Sequence, residues 1–184
     1  MCIFHNTFFS FPHFKLVNSM KRSILKRKKE AIMKLAILSD THNLLRPQVL
    51  EMLSGVDAIL HGGDCSRQSI LDALKEYAPL YVVRGNNDKE WAEYLPHDLR
   101  FQLGGKTFYM VHKKAEIPRE LPGIDVVIYG HSHKYAEDIK DGILYLNPGS
   151  CGPRRFNQEI TMALMEIDGD QISIEKVLIP HEVK

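Results

Sequence analysis

Short apolar runs alternate along this chain with amphipathic stretches, and five of the runs, LAILSDTH, AILHGGD, LYVVRGNND, TFYMVH and VVIYGHSH, close on polar groups. Runs of this length, rich in β-branched residues, read as buried parallel strands. The pattern predicts a strand over 34–39. A helix follows with Pro47 in its first turn, Val49, Leu50 and Leu53 as its apolar face, and Gly55 at its end. Residues 58–60 form the second strand, Ser66 caps a helix carrying Ile70, Leu71 and Leu74 at core spacing, and 80–83 form the third strand. Repeated strand and helix imply a parallel sheet. The rhythm then changes. Runs over 99–103 and 106–111 flank Gly104-Gly105, a two-residue hairpin signal, and further strands are predicted at 143–146, 161–167 and 171–178, the last two joined at Asp168-Gly169-Asp170. The expected fold class is α/β, a mixed two-sheet sandwich with helices on its outer faces.

Composition sets outer limits on this picture. At 184 residues, 44% apolar and 26% charged, the chain suits one globular domain with a single buried core. Nothing in it approaches the roughly 18 apolar residues of a membrane span, so no membrane partner is expected. Cys2, Cys65 and Cys151 show no paired spacing, which points to a reducing compartment and a cytoplasmic protein. Cys65 reads as a small buried thiol.

The net charge of +1 is unevenly distributed. Residues 1–33 hold seven Lys or Arg against Glu30 alone, and the other 17 basic and 22 acidic residues leave the body at −5. A mildly acidic body argues against a general nucleic-acid binder, which would present a basic face. Residues 1–32 are expected to be a disordered or mis-assigned extension, with residues 33–184 forming one domain. Lys28-Lys29-Glu30 can be encoded by a purine-rich run a few nucleotides before Met33, as a ribosome-binding site would be, so Met33 is the expected start.

Open α/β sheets gather their functional loops beyond the carboxyl ends of their strands. Seven metal-binding side chains fall at such ends: Asp40, His42, Asp64, Asn86, His112, His131 and His133. Taken singly most have ordinary readings. An Asp after a strand is commonly a turn residue, His61 and His112 pass for strand-end histidines, and Gly85-Asn86-Asn87-Asp88 for a turn. Asp40 and His42, spaced i and i+2, would project to one side of an extended chain. Gly130-His131-Ser132-His133 is the most specific fragment. Two carboxylates, four imidazoles and an amide, with no thiolate, are more than one ion needs, and suggest two first-row ions about 3.5 to 4 Å apart sharing a carboxylate. Manganese comes first, with nickel, zinc, iron and cobalt also suited to an N/O set.

The order of these fragments resembles the calcineurin-like metallophosphoesterase superfamily, and the short chain with its Asn147-Pro148-Gly149-Ser150 turn resembles its small bacterial and archaeal phosphodiesterase branch. The resemblance spans Lys34 to about Val177 and implies a four-layer α/β/β/α sandwich. It also implies that Asp40, His42, Asp64 and His133 hold one ion and Asp64, Asn86, His112 and His131 the other, with Asp64 bridging. Two departures stand out. Asn87 occupies the place where many members carry a histidine as general acid, as in the small branch, where that histidine is commonly absent. The family's H-G-H is here His112-Lys113-Lys114.

The expected activity is that of a metal-dependent phosphodiesterase in which a metal-bridged hydroxide attacks a small phosphodiester or phosphomonoester in line. With no positioned acid, activated leaving groups should react best. Lys113, Lys114, Arg154 and Arg155 are candidate anion contacts that read equally as solvated charges. Two alternatives remain. The family also looks similar to a retromer scaffold subunit that keeps the fold with a degenerate site, and a metal-dependent nuclease would share the chemistry. The composition leaves homo-oligomerisation open.

Overall fold

The computed structural model describes residues 31–155 and 157–180. The expected extension therefore lies outside the described residues apart from its last two positions. Among the described residues ten strands make two five-stranded sheets. The first holds β1 (Met33–Leu38), β2 (Ala58–His61), β3 (Leu80–Val82), β9 (Thr161–Asp168) and β10 (Gln171–Leu178), in the order β10-β9-β1-β2-β3. The second holds β4 (Asp98–Leu103), β5 (Lys106–Val111), β6 (Val126–Ile128), β7 (Tyr135–Lys140) and β8 (Ile143–Pro148), in the order β4-β5-β6-β8-β7.

Each sheet has a parallel centre with antiparallel margins. In the first, β1, β2 and β3 are parallel and β9 runs against both β1 and β10. In the second, β5, β6 and β8 are parallel, with β4 and β7 antiparallel on the edges. The α/β class and the mixed sandwich expected from the sequence are both present.

The period-2 alternation of β1 explains the layering. Leu35 and Ile37 point between the sheets, where they pack with Phe108, Met110, Ile128, Leu146 and Met165. Ala36 and Leu38 point the other way, onto the two helices α1 (Pro47–Met52) and α2 (Gln68–Lys75) through Val49, Leu53, Ile70, Leu71 and Leu74. A strand buried on both faces loses its polar alternation, which is why β1 reads as one continuous apolar run. Burial of each such Leu or Ile side chain stabilises the fold by about 1.5 to 3 kcal/mol.

The fourth layer of the α/β/β/α order is slight. Tyr109, Val111, Val127 and Tyr129 form the outer face of the second sheet, and the 3-10 turn Lys114–Glu116 with Ile117 and Leu121 beyond it covers them. Among the described residues no helix is long and apolar enough to cross a membrane.

Two local expectations are corrected, and one strand, β7, is present that the sequence pattern does not predict. Ser66 does not cap α2: the cap position is Arg67, with no side-chain hydrogen bond, and Ser66 sits at φ 72° with its N–H donated to Asp88 Oδ1 at 2.7 Å. The carboxylate of Asp88 outcompetes a capping geometry there. Strand β7 has no apolar alternation because it is an exposed edge, yet Asp141 and Gly142, at φ 53° and 78°, close its hairpin with β8 as a D-G turn, a signal present in the sequence. Gly104-Gly105 behave as expected, both at positive φ between β4 and β5. The second correction concerns Asp40 and His42.

Candidate metal centre

Five parallel strands, β1, β2, β3, β5 and β6, run directly into the loops that carry the seven candidate ligands, and β8 leads into the Asn147–Ser150 turn beside them. The loops are not extended. Asp40, His42, Asp64, His131 and His133 all lie in the left-handed region, at φ 55°, 42°, 60°, 69° and 58°. Each such non-glycine residue costs about 1 to 2 kcal/mol, and concentrations of them persist only where surrounding bonds over-determine the backbone. The expectation that Asp40 and His42 meet through an extended i, i+2 spacing is therefore wrong. The turn brings them together instead, pinned by Asp40 N–H to Gly63 O at 3.0 Å and His42 N–H to Asp64 O at 2.9 Å.

The side chains converge in two overlapping groups, Asp40 with His42 and His133, and Asp40 with Asp64 and His112, whose ligand atoms lie within 4.8 Å of one another. In the first, His133 Nε2 is 3.2 Å from Asp40 Oδ1 and 3.2 Å from His42 Nε2. His42 Nε2 is in turn 3.7 Å from Asp64 Oδ2. Asp40 Oδ1 is buried with no donor aligned on it.

In the second group the tautomer of His112 can be read from its surroundings. Its Nδ1 lies 2.7 Å from the carbonyl of Gly62, which has only lone pairs to offer, so Nδ1 carries the proton. Nε2 then presents its lone pair at 3.4 Å to Asp64 Oδ2 and at 3.2 Å to Asn86 Oδ1, two more acceptors. Three acceptors facing one another need a cation between them, either a proton on the ring or a metal ion. His131 sits differently. Its ring is exposed, edge-on to His112 with centroids 5.2 Å apart, and its firm tie is its backbone N–H, donated to Asp40 Oδ2 at 3.0 Å.

Protonation follows this arrangement. Burial would raise Asp64, but the hydrogen bond and charge of His112 and the two donors of Asn87 outweigh it and hold the carboxyl well below the usual range. Asp40 is lowered too, burial being offset by His133, His112 and Ser39. Burial drives His42 downward, against the pull of Asp64, with the Arg155 charge adding to the shift. His112 rises despite its burial, because Asp64 and Asp40 favour its charged form. Both carboxylates are thus ionised and His42 favours its neutral form, as metal ligation requires.

The residues that hold these side chains were only partly foreseen. Ser39 donates to Asp40 Oδ2 at 2.6 Å, and the Ser150 hydroxyl donates to Asp40 O at 2.9 Å. Asn147 Nδ2 donates to Gly130 O at 2.9 Å and to Ser132 Oγ at 3.0 Å, so the last residues of β8, where the sequence suggested a turn, prop the His131–His133 loop. Asp88, unremarked in the sequence, accepts the backbone N–H groups of Asp64, Gly85 and Ser66. Its only sequence signal is its place at the end of Gly-Asn-Asn-Asp. Gly130 is needed because a Cβ there would enter the Ser39 side chain and come within 2.8 Å of Asp40 Oδ2.

Two neighbours match their plain readings. His61 is fully buried as a satisfied core histidine, accepting from Gly63 N–H at Nδ1 and facing Thr41 Oγ1 at Nε2. Cys65 is likewise fully buried and stands outside both ligand groups.

Comparison with known proteins bears on this site. Residues 33–170 match the family model of the calcineurin-like phosphoesterase superfamily domain. The chain is 32% identical over 166 residues to a probable metallophosphoesterase of Methanocaldococcus jannaschii, covering 82% of each chain. It is 28% identical over 170 residues to a phosphodiesterase of Escherichia coli, covering 78% of this chain and 91% of that one. Among solved structures, a predicted phosphoesterase of Streptococcus pneumoniae superposes with a TM-score of 0.64 at 28% identity, over 84% of this chain and 94% of that one. Vacuolar protein sorting 29 of Cryptosporidium parvum gives 0.66 at 19% identity, over 82% and 99%, a likeness of fold alone.

Proposed function

This chain belongs to the calcineurin-like phosphoesterase superfamily and is a metal-dependent phosphoric ester hydrolase, and we propose that it is a dinuclear phosphodiesterase acting on a small diester. The observation that carries this reading is the surplus of acceptors at the site: the orphaned Asp40 Oδ1, the Nε2 atoms of His42 and His133 3.2 Å apart, and the His112, Asp64 and Asn86 acceptors. That donor set fits first-row divalent ions.

In this reading Asp40, His42 and His133 would hold one ion and Asn86, His112 and His131 the other, with Asp64 shared between them. Manganese is the proposed metal. When bound, the two ions supply a hydroxide nucleophile at neutral pH and offset charge on the phosphoryl oxygens. The protein's own contribution is placement. The Gly62 carbonyl fixes the His112 ring, Asn87 fixes both oxygens of Asp64, and Ser39 fixes Asp40. Asn87, at the position of the absent histidine, carries an amide, which does not ionise near neutral pH, so it delivers no proton to a leaving group. Esters whose leaving group departs as a stable anion should therefore react best, and diesters such as bis-p-nitrophenyl phosphate suit the site. The buried free thiols of Cys65 and Cys151 agree with a reducing, cytoplasmic setting.

The second reading is a non-catalytic scaffold on the same fold, raised by the fold likeness to vacuolar protein sorting 29. Metal-stripped protein assayed on bis-p-nitrophenyl phosphate with Mn²⁺ restored, beside Asp64→Ala, decides between them. Turnover that returns with metal in the wild type and not in Asp64→Ala supports the hydrolase. No turnover with any first-row ion, despite metal binding, favours the scaffold.

A further inference from the structure

Two cavities flank the candidate metal centre, and their charge differs. One, of about 340 Å³, opens beside Asn86 and His112 and mixes both signs of charge, Arg84, Lys89 and Lys113 with Asp88 and Glu116. There Arg84 donates to the carbonyls of Asp88 and Lys89, and Glu116 lies 3.3 Å from His97 and 3.5 Å from Lys113. The other, of about 490 Å³, opens beside His131 and is lined by Lys113, Lys114 and Lys134 with no carboxylate among its lining residues. Among the described residues neither Lys114 nor Lys134 has an ion-pair partner, and Lys114 Nζ rests 5.5 Å from the ring centroid of Tyr129. Gln158, in the same wall, has a buried Oε1 that accepts no hydrogen bond among the described residues.

Resting on the phosphodiesterase reading above, the geometry points to a substrate whose one arm carries a further anionic group, seated in the cavity between Lys114 and Lys134. A diester at the metal centre has two ester substituents, and both cavities border the cluster, one at His112 and one at His131, with Lys113 in the wall of each. The arm on the His131 side meets the ammonium groups of Lys114 and Lys134, neither of which has an ion-pair partner among the described residues. A phosphorylated group satisfies both, which is the chemistry of a nucleotide with a terminal phosphate. A volume near 490 Å³ suits a small-molecule substituent and not a length of duplex.

The test uses the dinucleotides pApA and ApA, which differ in the terminal phosphate. Manganese-loaded wild type should cleave pApA with a kcat/KM roughly tenfold above ApA, since two solvent-facing ion pairs contribute a few-fold each. That ratio should fall close to one in Lys114→Ala/Lys134→Ala. Lys106→Ala removes a lysine at the far end of β5, about 20 Å along the strand from His112, and should keep the ratio. Calorimetric binding of the same dinucleotides to metal-free protein gives a second readout, with pApA binding several-fold tighter and the difference shrinking at high salt. Equal kcat/KM and equal affinity for the pair, or a preference that survives the double lysine variant, would overturn the inference. Failure of the wild type on bis-p-nitrophenyl phosphate would count against the hydrolase itself, and the binding comparison would then still decide the charge of the arm.

Discussion

Asn87 holds both oxygens of Asp64: its backbone N–H donates to Oδ1 at 2.7 Å and its amide Nδ2 to Oδ2 at 2.6 Å. His42 Nε2 and His112 Nε2 both face Oδ2, at 3.7 and 3.4 Å, so Oδ2 is the oxygen two ions would share, and this double tether fixes the plane of the carboxylate. Asn87→Ala should therefore weaken Mn²⁺ binding about tenfold, the low end of what outer partners of metal ligands contribute. Calorimetric titration of the metal-free variant checks this, and an affinity equal to the wild type would show that Asp64 is oriented by other groups.

Asp88 ties the loop after β2 to its own loop after β3 and is not among the proposed ligands. Its carboxylate takes the N–H groups of Asp64 at 2.9 Å, Gly85 at 2.8 Å and Ser66 at 2.7 Å. Asp88→Ala leaves these donors unpaired in a buried site, each costing about 1 to 3 kcal/mol. The variant should lose about 3 to 5 kcal/mol of stability, seen as a lower urea midpoint at unchanged slope.

His61 makes a pH-dependent contribution. Burial depresses its pKa to about 4, against an ordinary 6.5, and its Nδ1 is committed as the acceptor for Gly63 N–H. Between pH 6.5 and 4 the unfolded chain binds a proton there that the folded chain refuses. Stability therefore rises with pH through this window and is lost as pH falls, by up to roughly 3 kcal/mol. The carboxylates of Asp40 and Asp64, lowered below 3.8, act at more acid pH. Urea unfolding of metal-free wild type and His61→Gln from pH 7 to 4 isolates the term: the gap between the two proteins should change by about that amount, and parallel curves would refute it.

The sequence disclosed the fold where one pattern served one purpose. β1 is apolar on both faces and was visible as a run, and Gly104-Gly105 announced its hairpin. β7 was hidden because an exposed edge needs no apolar alternation, although Asp141-Gly142 marked its turn. All seven candidate ligands were legible because each closes an apolar run. What was not legible was how the backbone reaches them. Asp40 and His42 meet through left-handed turns that only long-range hydrogen bonds sustain, to Gly63 and Asp64 some twenty residues away. Asp88 escaped notice for the same reason, since its work is done on the backbone of Asp64 and Ser66, more than twenty residues earlier.

The central claim is a pair of ions joined through Asp64, and an electron paramagnetic resonance titration of metal-free protein with Mn²⁺ addresses it directly. The account predicts saturation at two ions per chain with an exchange-coupled spectrum, reduced to an uncoupled signal in Asp64→Ala. Saturation at a single ion with an isolated Mn²⁺ spectrum in the wild type would contradict it.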